Sequence, residues 1–401
     1  MSEFKRYGLA ASLATLLALG LAGCGGNDSL PPKASISKVY VMGDSLADVG
    51  TLGFKLTVQD ATNPKGFPIF TQIVASQFGL DALSQCNVYK GILTLNAAGD
   101  TTNEVYSDNT TAGCTNYAMS GGRIVVQADA ANPSANPTNP RNVLKQLEKR
   151  AALGNYTDTD LVIFSVGAND AADLTGAYLE LAAVGAAGLP KYQGFLLGQL
   201  DAQTLTALLP VPTTGPALAG GAYMQALANT FYGQLKTQVL DKGATKVTVL
   251  NMTDITLTPR FSMVLAGVKA QAGEAQALAL QGAIRQWIGA FNATLKAKIG
   301  TDPRVALVDF YADLTEEVAT PDSFLLTNVT TPACPPTGRG GDLLPSYTLP
   351  TCTSAALDAL PGKPAGWWKS YAFADGFHPT PYGHQLLAAS VSRALARAGW
   401  L

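Results

Sequence analysis

The sequence predicts a layered α/β fold with a mostly parallel sheet, because strand-like and helix-like patterns alternate along the chain. Four short runs rich in β-branched residues are bounded by polar or turn residues, as is typical of buried parallel strands: 38–42, 161–166, 246–251 and 305–310. Helical patterns lie between them, at 142–153 and at 268–298. In sheets of this kind, site residues lie at the carboxyl ends of the strands.

The first strand ends in a turn that carries a nucleophile. The run 38–42 breaks at Gly43, and the tight turn that follows would expose the hydroxyl of Ser45 at the edge of the sheet. The second strand is followed just as directly by Asn169. Two polar side chains are therefore expected at the same edge.

Two regions depart from the alternation. Residues 87–140 are rich in Thr, Asn and Pro and predict a long loop, whereas 174–227 is rich in Ala, Leu and Gly and contains helical stretches. The second region is interpreted either as an acyl-binding wall or lid, or as helices that pack on the core. The packing interpretation is favoured, since apolar stripes usually pack.

The end of the chain supplies a base for the nucleophile. The chain has two histidines, and His378 follows Asp375 by three residues in a loop marked by Gly376 and Pro379. A hydroxyl nucleophile needs an adjacent base, and the base needs a group that holds its tautomer. Ser45, His378 and Asp375 therefore predict a serine hydrolase. The other histidine, His384, is predicted to be a surface or capping residue.

Four motifs together resemble the GDSL, or SGNH, esterases and lipases. They occur in that family's order as Gly43-Asp-Ser-Leu46, Asn116-Tyr-Ala-Met-Ser-Gly121, Gly167-Ala-Asn-Asp170 and Asp375-Gly-Phe-His378. The resemblance implies a three-layer α/β/α sandwich. Stretches at 249–254, 308–311 and 321–334 are similar to the lipolytic branch that resembles lecithinases and outer-membrane esterases.

The resemblance also implies a role for each site residue. Ser45 would be the nucleophile, His378 the general base and Asp375 the residue that orients it. The backbone N–H groups of Ser45 and Gly121 and the side-chain amide of Asn169 would form the oxyanion hole, where fixed donors stabilise the developing negative charge. Two residues depart from the family pattern: Thr51 stands where the first block often has Asn, and Ala374 where the fifth often has Trp.

Composition and length limit the other possibilities. A net charge of −2 and a pI near 5.7 argue against nucleic acid as a partner, and 47% hydrophobic residues suffice for a large core. Because Ser45 and His378 must share one site, residues 36–401 are expected to form a single hydrolase domain. Neither a metal site nor a cofactor is predicted, and the oligomeric state is left open.

The first residues predict export. Two basic residues precede an apolar stretch at 9–21 that ends in Leu21-Ala-Gly-Cys24, which resembles a bacterial lipoprotein signal. Residues 1–23 would be removed, Cys24 would be lipidated, and 24–35 would be a tether to the cell envelope, with the outer membrane as the expected location. The alternative is an ordinary signal peptide with a chance cysteine.

The remaining four cysteines predict disulfides. An even number in an exported chain is typical of paired cysteines, and short loops favour Cys86 with Cys114 and Cys334 with Cys352. Sequence leaves the other two connectivities open.

Three functions are compatible with these observations. The first is an esterase or lipase that cleaves short to medium acyl esters or lipids through an acyl-enzyme. The second is a carbohydrate O-deacetylase or an acyltransferase with the same catalytic groups. The third is a non-catalytic surface lipoprotein, against which the four intact motifs argue.

Overall fold

The computed structural model describes residues 33–95, 101–126, 136–211 and 214–401. The strands are β1 (Lys38–Gly43), β2 (Tyr89–Leu95), β3 (Thr101–Asp108), β4 (Asp160–Ser165), β5 (Val247–Leu250), β6 (Val305–Val308), β7 (Gly338–Arg339) and β8 (Pro345–Ser346). The helices are α1 (Phe70–Gln77), α2 (Val143–Ala151), α3 (Ala168–Val184), α4 (Leu189–Leu196), α5 (Ala202–Leu208), α6 (Gly215–Leu235), α7 (Pro259–Ala272), α8 (Glu274–Ile299), α9 (Phe310–Ala319), α10 (Ser354–Asp358) and α11 (Pro381–Arg397).

The central sheet has the order β1-β4-β5-β6, and all of its pairs are parallel. A further segment lies along the other edge of β1, where the N–H of Val41 donates to Thr115 O at 3.1 Å and the N–H of Tyr117 donates to Val41 O at 2.7 Å. After β1, the chain therefore places residues 115–117 along one edge of β1 and then places β4 along its other edge. Ligand sites of open α/β sheets form at such a point.

Side chains of the strands alternate between two helical layers. Tyr40 and Met42 of β1 and Val162 and Phe164 of β4 belong to one core cluster with residues of α6 and α8. On the other side, α11 packs against β5, β6 and α1. The predicted α/β fold with a mostly parallel sheet flanked by helices is confirmed.

Local signals explain where helix α8 ends and where helix α11 begins. In α8, buried apolar residues recur every three or four positions and face the sheet: Ile284, Trp287, Ile288, Phe291 and Leu295. It ends at Gly300, whose φ of 58° favours glycine. In α11, Pro381 occupies the first turn and the hydroxyl of Thr380 accepts a hydrogen bond from the N–H of Gly383.

The two irregular regions have different outcomes. Leu174, Tyr192 and Leu227 are buried in the core, so the packing interpretation of 174–227 is the one that the structure supports. The predicted loop at 87–140 is wrong where β2 and β3 form an antiparallel hairpin. The hairpin escaped prediction because it exposes apolar residues, with Ile92 and Val105 paired on its surface and more than half exposed.

Two disulfides, Cys86–Cys114 and Cys334–Cys352, form as predicted. The predicted leader, Cys24 and most of the tether lie outside the described residues. Within the described ranges, no helix combines the length and apolar character that crossing a bilayer requires. Residues Ser35–Leu401 form one compact unit.

Candidate active site

Ser45 lies in a tight turn at the carboxyl end of β1. The N–H of Asp44 donates to Ser165 O of β4 at 3.1 Å, and the N–H of Leu46 donates to the Asp44 carboxylate at 3.1 Å. Gly43 has a φ of 148°, and a Cβ there would lie 2.1 Å from Ser165 O. Only glycine therefore lets β1 approach β4 closely enough to place Ser45 at the sheet edge.

The His378 side chain joins Ser45 to Asp375. Nε2 of His378 lies 2.9 Å from Ser45 Oγ, and Nδ1 lies 2.8 Å from Asp375 Oδ2. Asp375 Oδ1 also accepts hydrogen bonds from the backbone N–H groups of Phe377 and His378, at 2.8 and 2.7 Å. The carboxylate thereby holds both the loop and the imidazole. The structure brings these three predicted residues together.

Electrostatics favour an ion pair in this arrangement. Burial would lower the pKa of His378, but the charge and hydrogen bond of Asp375 outweigh burial, and the pKa is raised above 6.5. Burial would raise the pKa of Asp375, but the charge and hydrogen bonds of His378 leave it lowered. Asp375 is therefore a carboxylate that stabilises a protonated imidazole.

Asn169 points its amide toward the same edge. Gly167, with a φ of 103°, begins α3 directly after β4. The Asn169 Nδ2 donates to Gly122 O at 2.8 Å, which leaves a second N–H on the same nitrogen. A Cβ at Gly122 would lie 2.4 Å from Gly43 O, so this segment packs directly on the nucleophile turn.

Gly121 lies in the turn between Met119 and Gly122 and has a φ of 71°. Its carbonyl accepts a hydrogen bond from Arg123 Nη1 at 2.6 Å, which fixes the peptide. Within the described part of the chain, no hydrogen-bond acceptor pairs with the backbone N–H of Gly121 or of Ser45. These donors are therefore available to a ligand.

Asp48 is a site residue for which the sequence predicted no role. It is buried and accepts hydrogen bonds from the N–H of Thr51 at 2.8 Å, from Asn87 Nδ2 at 3.1 Å and from the N–H of Ser120 at 2.9 Å. It thus ties the nucleophile turn to the segment that carries Gly121. The hydroxyl of Thr51, which departs from the family pattern, also donates to Asp48 at 2.9 Å.

Two more buried carboxyl groups support the turns. Asp44 Oδ1 accepts from Ser165 Oγ at 3.2 Å, and Asp170 Oδ2 accepts from the N–H of Ile124 at 3.0 Å. Burial raises the pKa of Asp44 to about 6 and that of Asp170 to about 7. Neither one replaces Asp375 as the residue hydrogen-bonded to His378.

A pocket opens from Ser45 and Asn169. Its walls are mostly apolar and include Ala168, Phe310, Leu314, Ala372, Phe373, Phe377 and Pro379. The described lining includes no residue of 174–227. The apolar wall of this pocket comes from α9 and the 372–383 segment instead.

The prediction of His384 as a surface or capping residue is wrong. The side chain is buried in the first turn of α11 and stacks on Phe70 at 6.4 Å between ring centroids. Burial, then the charges of His378 and Lys55, lowers its pKa to about 3. The ring is therefore a neutral core residue, which the position at a helix start did not indicate.

The chain matches the model of one protein family over most of its length. Among the described residues, no group of three or more His, Cys, Asp or Glu side chains could hold a metal ion. A search of curated proteins finds no match. The model of the GDSL-like lipase/acylhydrolase family matches residues 39–391, a range that contains Ser45, Asn169 and His378. The chain belongs to the GDSL-like lipase/acylhydrolase family.

Proposed function

We propose that the protein is a carboxylic ester hydrolase that works through a covalent acyl-enzyme on Ser45. The observation that carries the proposal is the 2.9 Å contact between His378 Nε2 and Ser45 Oγ, with Asp375 on the other ring nitrogen. The family is one of ester and acyl-group hydrolases, which supports the reaction class.

The geometry supports a two-step reaction. As Ser45 Oγ attacks the ester carbonyl carbon, Nε2 of His378 takes its proton, and the imidazolium then protonates the leaving alcohol. A water molecule, deprotonated by the same nitrogen, attacks the acyl-enzyme and releases the acid and the free serine. Asp375 keeps the proton of His378 on Nδ1 and stabilises the imidazolium that forms in both steps.

Three donors would bind the oxyanion of each tetrahedral intermediate. They are the backbone N–H groups of Ser45 and Gly121 and the second N–H of Asn169 Nδ2. Donors fixed before the reaction lower the barrier most, because they need no reorganisation in the transition state. The bonds of Gly121 O and Asn169 to neighbouring groups supply this rigidity.

The pocket supports short to medium acyl esters or lipids as substrates. Each methylene of the substrate that is buried against the apolar walls beside Ser45 contributes about 0.8 kcal/mol to binding. This favours a longer acyl chain over an acetyl group. A carbohydrate O-deacetylase or an acyltransferase with the same catalytic groups is the second candidate. The complete site argues against a non-catalytic lipoprotein.

We also propose that the protein is exported and anchored to the cell envelope through lipidated Cys24, with the outer membrane as its location. The leader motif and the two disulfides are consistent with this location, because disulfides persist in oxidising compartments.

Hydrolysis of p-nitrophenyl esters by wild-type protein and by Ser45→Ala tests the reaction. We expect activity on butyryl to octanoyl esters, and a loss of about a thousandfold or more in the variant because the covalent route disappears. Phosphatidylcholine and acetylated xylan in the same panel separate lipid from sugar substrates. A folded Ser45→Ala protein with near wild-type turnover would refute the mechanism.

A further inference from the structure

One carboxyl group lines the pocket away from the catalytic residues. Phe310, Leu314 and Glu317 are buried on one face of α9 and all line the pocket. Helix α9 begins at the edge of the sheet, where Asp309 Oδ1 accepts a hydrogen bond from Asn251 Nδ2 at 2.7 Å just after β5. At 1.5 Å per residue, Glu317 is about 10 Å further along the helix than Phe310. Glu317 therefore contributes to the pocket lining from the C-terminal half of α9, whereas Phe310 contributes from its first residue.

The Glu317 carboxyl lacks a protein partner. Within the described ranges, no hydrogen bond or ion pair engages it, although only 6% of the residue is exposed. Arg393, whose charge acts on Glu317, is itself paired with Asp313 at 2.8 Å. The carboxyl oxygens are not among the fully buried polar atoms without a partner, so they are open to solvent in the pocket and available to a ligand.

The charge state of Glu317 reflects these surroundings. Burial, followed by the negative charge of Asp313, raises its pKa to about 7, and Arg393 only partly opposes this. The neighbouring Glu316 adds a smaller repulsion from the exposed face of the helix. At neutral pH the carboxyl can therefore accept a hydrogen bond in either protonation state.

We propose that Glu317 is the specificity-determining residue of the acyl pocket, and that it selects acyl groups carrying a hydroxyl or other hydrogen-bond donor within reach of its carboxyl. This inference rests on the proposed function. A purely aliphatic chain that reaches Glu317 removes water from the carboxyl and returns no hydrogen bond. A chain with a terminal hydroxyl restores that bond, and a shorter chain never reaches the carboxyl.

Two matched ester series test the inference. One contains p-nitrophenyl esters of straight-chain acids from four to ten carbons, and the other contains the same acids with a terminal hydroxyl. For wild-type protein we expect one chain length at which the hydroxylated ester has roughly tenfold or higher kcat/KM, the size of effect that one hydrogen bond to a charged group gives. At shorter lengths the plain esters should be the better substrates.

Three variants assign the effect to the carboxyl. Glu317→Leu should make the plain ester the better substrate at that chain length and should allow longer plain chains to be cleaved. Glu317→Gln keeps a hydrogen-bond acceptor and should therefore retain the preference for the hydroxylated ester. Glu316→Gln, on the exposed face of the same helix, should behave as wild type. The thermal midpoint of each variant shows that it is folded. We expect Glu317→Leu not to lower it, because no hydrogen bond or ion pair within the described ranges is lost.

The outcomes separate this inference from the proposed function. If Ser45→Ala is inactive but Glu317→Leu leaves the ratio of hydroxylated to plain esters unchanged at every length, the role of Glu317 is refuted and the serine mechanism stands. If Glu316→Gln changes the ratio as much as Glu317→Leu does, the effect comes from net charge and the role is refuted. If wild-type protein cleaves neither series, both proposals fail.

Discussion

The Asn169 side chain divides its two N–H groups between the protein and the site. One is donated to Gly122 O at 2.8 Å, and the other remains for a ligand. Removal of this side chain therefore takes away an oxyanion donor together with the bond that holds Gly122.

Asn169→Ala should lower kcat by about a hundredfold or more and change KM little, because an oxyanion donor acts mainly in the transition state. Steady-state kinetics on a butyryl ester measure both constants. An effect confined to KM would instead make Asn169 a substrate-binding residue.

The pH dependence follows from the His378 pair. Only the neutral imidazole can take the proton of Ser45, and the net effect of Asp375 is to keep the ring protonated to a pH above 6.5. kcat/KM should therefore rise with pH through a midpoint above that value. Asp375→Asn should move the midpoint down, because burial then dominates, and should also reduce the rate. His384, with a pKa of about 3, cannot produce this transition.

Among single residues, sequence predicts the side chains that stand in recognisable catalytic motifs. It misses the side chains whose role depends on which distant residues the fold brings next to them. Ser45 and Asn169 stand in motifs that directly follow strands. His378 stands in a loop motif and is one of two histidines in the chain. Asp48 stands in the first motif, yet nothing local shows that its bonds reach Ser120. Glu317 resembles any helical glutamate until the fold turns it toward a pocket.

The element that tolerates least change is the end of β1. Gly43 lies so close to β4 that a Cβ would contact Ser165 O at 2.1 Å, and Gln146 bonds both its N–H, at 2.7 Å, and its carbonyl, at 3.0 Å. Gly43→Ala should lower the free energy of unfolding by at least about 2 kcal/mol, since backbone cannot move aside as a side chain can. It should also lower kcat.

Urea denaturation measures the stability effect. Gly53→Ala is a matched comparison, because Gly53 also has a positive φ, of 87°, but a Cβ there meets nothing within 4 Å. The difference in the free energy of unfolding between the two variants separates the effect of the close contact from the effect of backbone strain. Equal effects would show that close packing on β4 is unimportant.

The elements also show what a pattern can and cannot reveal. The central strands are buried on both faces and are therefore continuous apolar runs, which sequence predicts well. The β2–β3 hairpin exposes apolar residues, including Ile92 and Val105, so it lacks the pattern of a strand with one buried face. The Cys86–Cys114 disulfide and the bond from the N–H of Val88 to Asn116 O at 2.7 Å tie the hairpin to the segment beside β1.

For the whole molecule, the proposed lipid anchor at Cys24 predicts that the protein is found in the membrane fraction. Cys24→Ser should move the protein from the membrane fraction to the soluble fraction and leave kcat/KM on soluble esters unchanged. The physical reason is that the acyl chains attached to the lipidated cysteine provide stable anchoring, which a single chain does not.

Fractionation, with mass spectrometry of the N-terminal peptide, measures this. Cys86→Ser is the control, because it removes a cysteine of a disulfide and should leave the protein in the membrane fraction. Wild-type protein recovered in soluble form with an unmodified Cys24 would refute the anchor.

The nucleophile and the base are far apart in the chain, because Ser45 and His378 are separated by 333 positions. At ordinary rates of synthesis, the ribosome adds the base on the order of tens of seconds after the nucleophile. An unfinished chain thus carries a serine that no imidazole can activate. If the chain crosses a membrane N-terminus first, as the proposed export requires, it remains inactive until translocation is complete. The order of synthesis then protects the cell's own esters without an inhibitor or a propeptide.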